Sequence, residues 1–225
     1  MPDSSVSLQR MIATSHEPTA PAFAIDIRLA RMDDIYPILG LHREAFADKF
    51  GAAFGAQGAA RGIEAMAEAW RRQGVSALRG MFVATHEGHV IGTISLRTWE
   101  MSGESSAAAE LAFHKILGIW GAMRSIFALS LLDHQIDRNE GYITDVAVLS
   151  PFRGRGVASA LLSRAEVEAR TRNKQFLGLY VSSTNIGARR LYERFGYQPY
   201  RTRRSLLAGL ILQQRVWLYM RKNLT

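Results

Sequence analysis

Arg153-Gly154-Arg155-Gly156-Val157-Ala158 sets arginines among closely spaced glycines, a combination suited to gripping an anion. Glycines let the backbone approach a ligand closely, the N–H groups at a helix start point outward, and the helix dipole favours negative charge there. Ile143 to Leu149, just before, is apolar and strand-like, and Ala158 to Arg170, just after, has helical character. A strand, a glycine-rich turn and a helix in that order predict a phosphate site. A Walker loop would place Lys and Ser/Thr after its last glycine, where this chain has Val157-Ala158, and the third glycine of a dinucleotide fingerprint is missing.

A second polar pair follows on Asn185 and Tyr192. The segment Gln175 to Val181 reads as a strand, Asn185 suits a helix N-cap, and Gly196 is the residue type preferred just past a helix end. Seven positions apart on one helix, Asn185 and Tyr192 lie within about 20° of each other. One face then carries an amide at its start and a phenol two turns later. A tyrosine that packs its ring and wets its hydroxyl is the plain alternative.

Together these segments resemble the GNAT N-acetyltransferase superfamily. The R-x-x-G-x-A run, preceded by Val146-Ala147-Val148-Leu149-Ser150-Pro151-Phe152, resembles its acetyl-CoA motif, and Asn185 to Tyr197 matches its N-x-x-A-x-x-x-Y-x-x-x-G-F/Y helix. The likeness is specific from Ile143 to Tyr197 and only compatible in pattern elsewhere. It implies an α/β (α+β) fold with a mixed, mostly antiparallel sheet of six to seven strands flanked by helices, and acetyl-CoA as co-substrate. The implied cofactor-binding residues are Val146, Ala147, Val148, Arg153, Gly154, Arg155, Gly156, Val157, Ala158, Asn185 and Tyr192. In such a fold the fourth and fifth strands splay apart, and the pantetheine arm fills the gap as a pseudo-strand.

The implied reaction moves an acetyl group to a primary amine by direct attack, without a covalent enzyme intermediate. An alkylammonium near pKa ~10 must first lose a proton, and the departing thiolate must gain one. Tyr192 is the expected donor to the sulfur, and a backbone N–H around Val148 the expected partner of the oxyanion. For the base, Glu140 and Asp145 stand equal, with a water relay and no dedicated base as a third route. Strand alternation puts Tyr142, Thr144, Val146 and Val148 on one face and Asp145 on the other, so Asp145 either needs a bulge to reach the amine or is structural. One position often used by relatives falls on Thr144, which cannot act as a base. A non-catalytic acyl-CoA-binding regulatory module is the alternative function.

The elements that must position these groups follow from periodicity. Ala24 to Leu29 alternates as a strand, and Ile35, Ile38, Leu39, His42 and Phe46 recur at helical spacing after a cap at Asp33 or Asp34. Gly51 to Gly62 is glycine- and alanine-rich, so the first helix is expected to fray into a loop there, before a second helix from Ile63 to Arg72. Met81 to Thr85 and Val90 to Thr98 read as a hairpin around His86-Glu87-Gly88-His89, whose histidines lack the further ligands that a metal site needs. A fourth strand is expected over Gly141 to Leu149, and a closing pair over Gln198 to Leu207 and Gln213 to Arg221. Ser105 to Asn139 is an apolar, helical insertion between strands three and four. Its stripe of Ala112, Ile116, Trp120, Met123, Phe127 and Leu131 is expected to pack over the acceptor end of the site, with a homodimer contact or a membrane-surface or lipid-like substrate site as the other readings.

Composition bounds the rest. At 225 residues the chain suits one domain, expected over 23–225 behind a flexible leader, 1–22. With no cysteine, disulfides, thiolate nucleophiles and thiolate-bound zinc are excluded. Lys115, Arg124, Gly118 and Gly121 interrupt the insertion too often for a membrane span. The N-terminus lacks the apolar core of a signal peptide, which favours the cytoplasm. The net charge of +8 is spread along the chain rather than clustered, and zinc-finger or RNA-stacking motifs are lacking, so the expected partner is a small-molecule or peptide amine rather than nucleic acid.

Overall fold

The computed structural model describes residues 23–55, 58–101, 107–130, 134–206 and 215–224. Seven strands form one sheet in the order β1-β2-β3-β4-β5-β7-β6. They are β1 (Asp26–Leu29), β2 (Met81–His86), β3 (His89–Thr98), β4 (Glu140–Val148), β5 (Phe176–Ser182), β6 (Gln198–Arg204) and β7 (Val216–Asn223). Every neighbouring pair is antiparallel except β4 and β5. The expected leader, residues 131–133 of the expected insertion and residues 207–214 of the expected closing pair lie outside the described residues.

Alternation along β2 sends neighbouring residues into two different cores. Met81 and Val83 join Ile35, Ile38 and Leu39 of α1 (Ile35–Ala45) and Ala67 of α3 (Ala59–Gln73). Phe82 and Ala84 join the larger core beneath Val157, Leu161, Leu162, Ala165 and Ala169 of α5 (Val157–Thr171) and Tyr192 of α6 (Ile186–Arg194). The sheet therefore carries helices on both faces.

Three expectations need correction. Residues 51–62 do not simply fray: α2 (Ala47–Phe54) precedes α3, which starts four residues before the expected Ile63. The insertion is helical, as α4 (Ala107–Ser130), but Gly118 stands at φ 72°, ψ 176° and breaks its regular winding. A stripe counted on one ideal helix therefore splits: Ala112 is buried, whereas Trp120 is 83% and Met123 55% exposed. Phe127 and Leu131 belong to that stripe in sequence, but their side chains lie outside what is described.

The other expectation concerns where α4 packs. Its inner face lies on α2 and α3, where Phe113 and Ala122 cluster with Ala65. The Ser125 hydroxyl donates to the Ala53 carbonyl at 2.9 Å, and the Arg61 guanidinium donates to the Ile116 carbonyl. Among the described residues of α4, none lines the cleft described below. Nor, among the described residues, is any helix long and apolar enough to cross a membrane.

Candidate active site

β4 and β5 pair only from Glu140↔Phe176 to Ile143↔Leu179. Beyond Ile143 the two strands diverge, and a cleft of about 990 Å³ opens between them. Among the described residues, the rest of β4 then has a partner, β3, on one side only. Gly92 pairs with Val148, and the Leu149 N–H bonds the Ile91 carbonyl at 2.9 Å. In an antiparallel ladder that pattern turns the N–H and C=O of Val148 away from β3, toward the cleft. The Arg153 Nε–H already occupies that carbonyl at 3.0 Å, which leaves the Val148 N–H as the group aimed at a ligand.

At the carboxyl end of β4 the glycine-rich turn lines the cleft through Arg153, Gly154, Gly156, Val157 and Ala158. Gly154 and Gly156 adopt φ 75° and 83°, left-handed values that other residues rarely take. A Cβ built on either would meet nothing within 4 Å, so the space in front of both is open. Gly156 is the N-cap of α5 and brings no side chain to cap it, so among the described residues the first N–H groups of that helix are open to a ligand. Arg155 departs from the expected set. Its guanidinium lies over the rings of Phe23, at 5.2 Å, and Phe152, at 6.0 Å, and it does not line the cleft.

One wall of the cleft comes from α6. Asn185 caps that helix, its Oδ1 accepting the Ala188 N–H at 3.1 Å, and both Asn185 and Tyr192 line the cleft. Tyr192 is buried, with its ring edge-on to Tyr197 at 5.9 Å. Burial pushes its phenol up to about 12, so it keeps its proton throughout the physiological range.

The floor is irregular because β4 bulges. Thr93 pairs with Ala147 and Ser95 with Thr144, so Asp145 and Val146 together oppose Ile94 alone. Asp145 takes φ 54°, a left-handed value costing on the order of 1 kcal/mol for a residue with a side chain. The bulge breaks the alternation read from sequence: Ile143 and Val148, of opposite parity, face the same core, and Val146 packs against it. Asp145 lines the cleft, and its Oδ2 accepts the Thr144 hydroxyl at 2.9 Å.

The two carboxylates weighed as bases part company here. Glu140 is 2% exposed and is not a cleft residue. It accepts hydrogen bonds from Tyr219 Oη at 2.5 Å and the Asp137 N–H at 3.1 Å, and His134 Nε2 lies 3.0 Å from both its oxygens. A different carboxylate, Glu44 at the end of α1, does line the cleft. It accepts the N–H and hydroxyl of Ser150, at 3.1 and 2.9 Å, and these bonds hold its carboxyl below the usual carboxylate range. Sequence reading missed Glu44, Tyr180 and Trp217, all cleft residues. On their own elements they are ordinary polar or aromatic positions, and no local spacing marks them.

The profile of the Acetyltransferase (GNAT) family matches residues 43–197, more than half of the chain, and the chain belongs to that family. Over 97 residues, 38% of this chain and 48% of the relative, it is 35% identical to the N-alpha-acetyltransferase MAK3 of Arabidopsis thaliana. A 61-residue stretch, 27% of this chain and 39% of the relative, is 36% identical to the uncharacterized N-acetyltransferase YycN of Bacillus subtilis. The matched stretches span between 39% and 59% of the length of the curated relatives. Among solved structures, an acetyltransferase superposes with a TM-score of 0.67 at 24% identity, over 89% of this chain and all of the other. The structure of yncA of Salmonella typhimurium, solved with acetyl-CoA, gives 0.54 at 18% identity over 90% and 95% of the two chains. At these identities the two structures speak to the fold.

Proposed function

We propose that this chain transfers an acetyl group from acetyl-CoA to a primary amine of a small molecule or peptide. The observation that carries the reading is the one-sided half of β4. An extended chain of amides suits its unpaired edge, and a diphosphate suits the open glycines, Arg153 and the uncapped start of α5. Acetyl-CoA has both features, and yncA, of the same fold, holds it.

Asp145 takes the proton from the acceptor ammonium, directly or through one water, because it is the β4 carboxylate in the cleft. The freed amine attacks the thioester carbonyl, forming the C–N bond, and the Val148 N–H meets the negative charge that develops on oxygen. As the C–S bond breaks, Tyr192 gives its proton to the sulfur and recovers one from solvent. The amine loses two protons in all, one to Asp145 and one to solvent as the amide forms. Asp145 then releases its own to solvent, Tyr192 has taken one back from it, and each turnover frees one proton and returns the site to its starting state. Asn185 and the loop residues hold the co-substrate and take no part in proton transfer.

Thiol release from acetyl-CoA, followed with a panel of amines, tests the proposal. Amine-dependent release supports it. Binding of acetyl-CoA without release for any amine would identify a non-catalytic acyl-CoA-binding module.

A further inference from the structure

His42 on α1 and Thr93 on β3 are buried polar groups, 4% and 0% exposed, that lie behind the cleft rather than in it. His42 Nε2 is 3.0 Å from Thr93 Oγ1, and the Thr93 hydroxyl donates to the Asp145 carbonyl at 2.9 Å. A hydroxyl has one proton, and a carbonyl only accepts. Because that proton is committed to Asp145, Thr93 must accept from His42, so Nε2 carries a hydrogen in either charge state of the ring. The direction of the chain is therefore fixed: His42 to Thr93 to the backbone of Asp145.

The end of this chain is the one left-handed residue within a described strand. Asp145 sits where two residues of β4 oppose one of β3, and the bond at its carbonyl ties the bulge to the neighbouring strand. Flattening the bulge would move that carbonyl and strand a buried hydroxyl and a buried ring N–H together. A constraint of this kind can keep an unfavourable backbone angle populated.

We propose that His42 and Thr93 are positioning residues: they hold Asp145 in its left-handed bulge and so keep its carboxylate turned into the cleft. This rests on the acetyltransferase reading only in that Asp145 is there assigned the proton of the amine. Neither residue touches substrate.

The test uses the full chain with Thr93→Val, Thr93→Ser, His42→Phe and His42→Gln. His42→Phe preserves the ring packing against Phe46 and Trp70, at 5.5 and 6.4 Å, and removes the donor. Assays use acetyl-CoA with lysine, spermidine and a short peptide with a free N-terminus. Thr93→Val and His42→Phe should each lower kcat about tenfold or more, with the KM for acetyl-CoA within about threefold. Thr93→Ser and His42→Gln, which keep a donor in place, should recover most of that loss. The Thr93→Val, His42→Phe double variant should be no slower than the worse single one, since both break one chain. A crystal structure of Thr93→Val should show Asp145 out of the left-handed region. The proposal is overturned if Thr93→Val keeps kcat within about twofold, or if Asp145 keeps its left-handed angle in that structure. Absence of transfer in the wild-type protein with every amine would instead strike the acetyltransferase reading, and the crystal structure would still decide the positioning role.

Discussion

The Tyr219 hydroxyl of β7 reaches over Gly178 of β5 to donate to Glu140 Oε1 of β4 at 2.5 Å. This one bond ties β7 to β4 across β5, and it commits to structure a carboxylate that local sequence offers equally well as a base. Burial raises the Tyr219 phenol above its ordinary range, with the hydrogen bond to Glu140 adding to the effect, so the hydroxyl remains the donor.

Exchanging the two carboxylates for amides should separate their roles. Glu140→Gln weakens a buried acceptor with three partners and should cost about 1–3 kcal/mol of stability while largely sparing kcat. Asp145→Asn should leave stability nearly unchanged and lower kcat by about a hundredfold. Denaturant melts and steady-state rates on both variants check this, and the reverse pattern would make Glu140 the base.

Gly178 has no room to grow. A Cβ there would fall on Tyr219 Oη and Glu140 Oε1. Gly178→Ala should therefore destabilise the fold by about 1–3 kcal/mol, read as a lower urea midpoint. An unshifted midpoint would mean that the Tyr219 ring can withdraw freely.

Gly156→Asp should weaken acetyl-CoA binding by about tenfold or more, because it places a carboxylate where an anion is expected at a helix N-terminus and strains a left-handed position. Calorimetry on the folded variant measures this. Unchanged affinity would remove the loop from the co-substrate site.

Tyr192→Phe should lower turnover and leave acetyl-CoA affinity within about threefold, since only a hydroxyl acting in the transition state is lost. With the phenol raised to about 12, Tyr192 remains a proton donor through pH 10, so any alkaline loss of kcat below that belongs to another group. The linked stability effect has a definite sign. An unfolded tyrosine ionises near 10 and the folded one near 12, so this contribution is full below pH 10 and is lost as pH rises through 12. A kcat–pH profile and melts between pH 8 and 11 test both statements.

Trp120→Ala should change stability by less than about 0.5 kcal/mol, because the ring is exposed rather than packed. Acetyl-CoA affinity should not change. Sedimentation of wild type and variant checks the remaining consequence: a shift in mass would make the exposed face of α4 a contact between two copies.

Local sequence was enough for the glycine turn, the Asn185–Tyr192 helix and most strands, because each depends on groups close together in the chain. Two glycines at left-handed angles, an N-cap three residues before the N–H it binds and a phenol two turns on are all short-range facts. What sequence could not decide was set by contacts 52 to 106 positions apart. Strand alternation assigns Asp145 to the wrong face unless a bulge intervenes, and the bulge is tied down by Thr93, 52 residues away. Glu140 and Asp145 look alike as β4 acids until Tyr219, 79 residues from Glu140, claims one of them. Glu44 becomes a cleft residue through Ser150, 106 residues away. The helical stripe of the insertion failed for a different reason: Gly118 can leave helical geometry at little cost, and apolar periodicity alone does not say that it does. Backbone propensity is written locally, whereas the partner of a buried polar group is chosen by the whole fold.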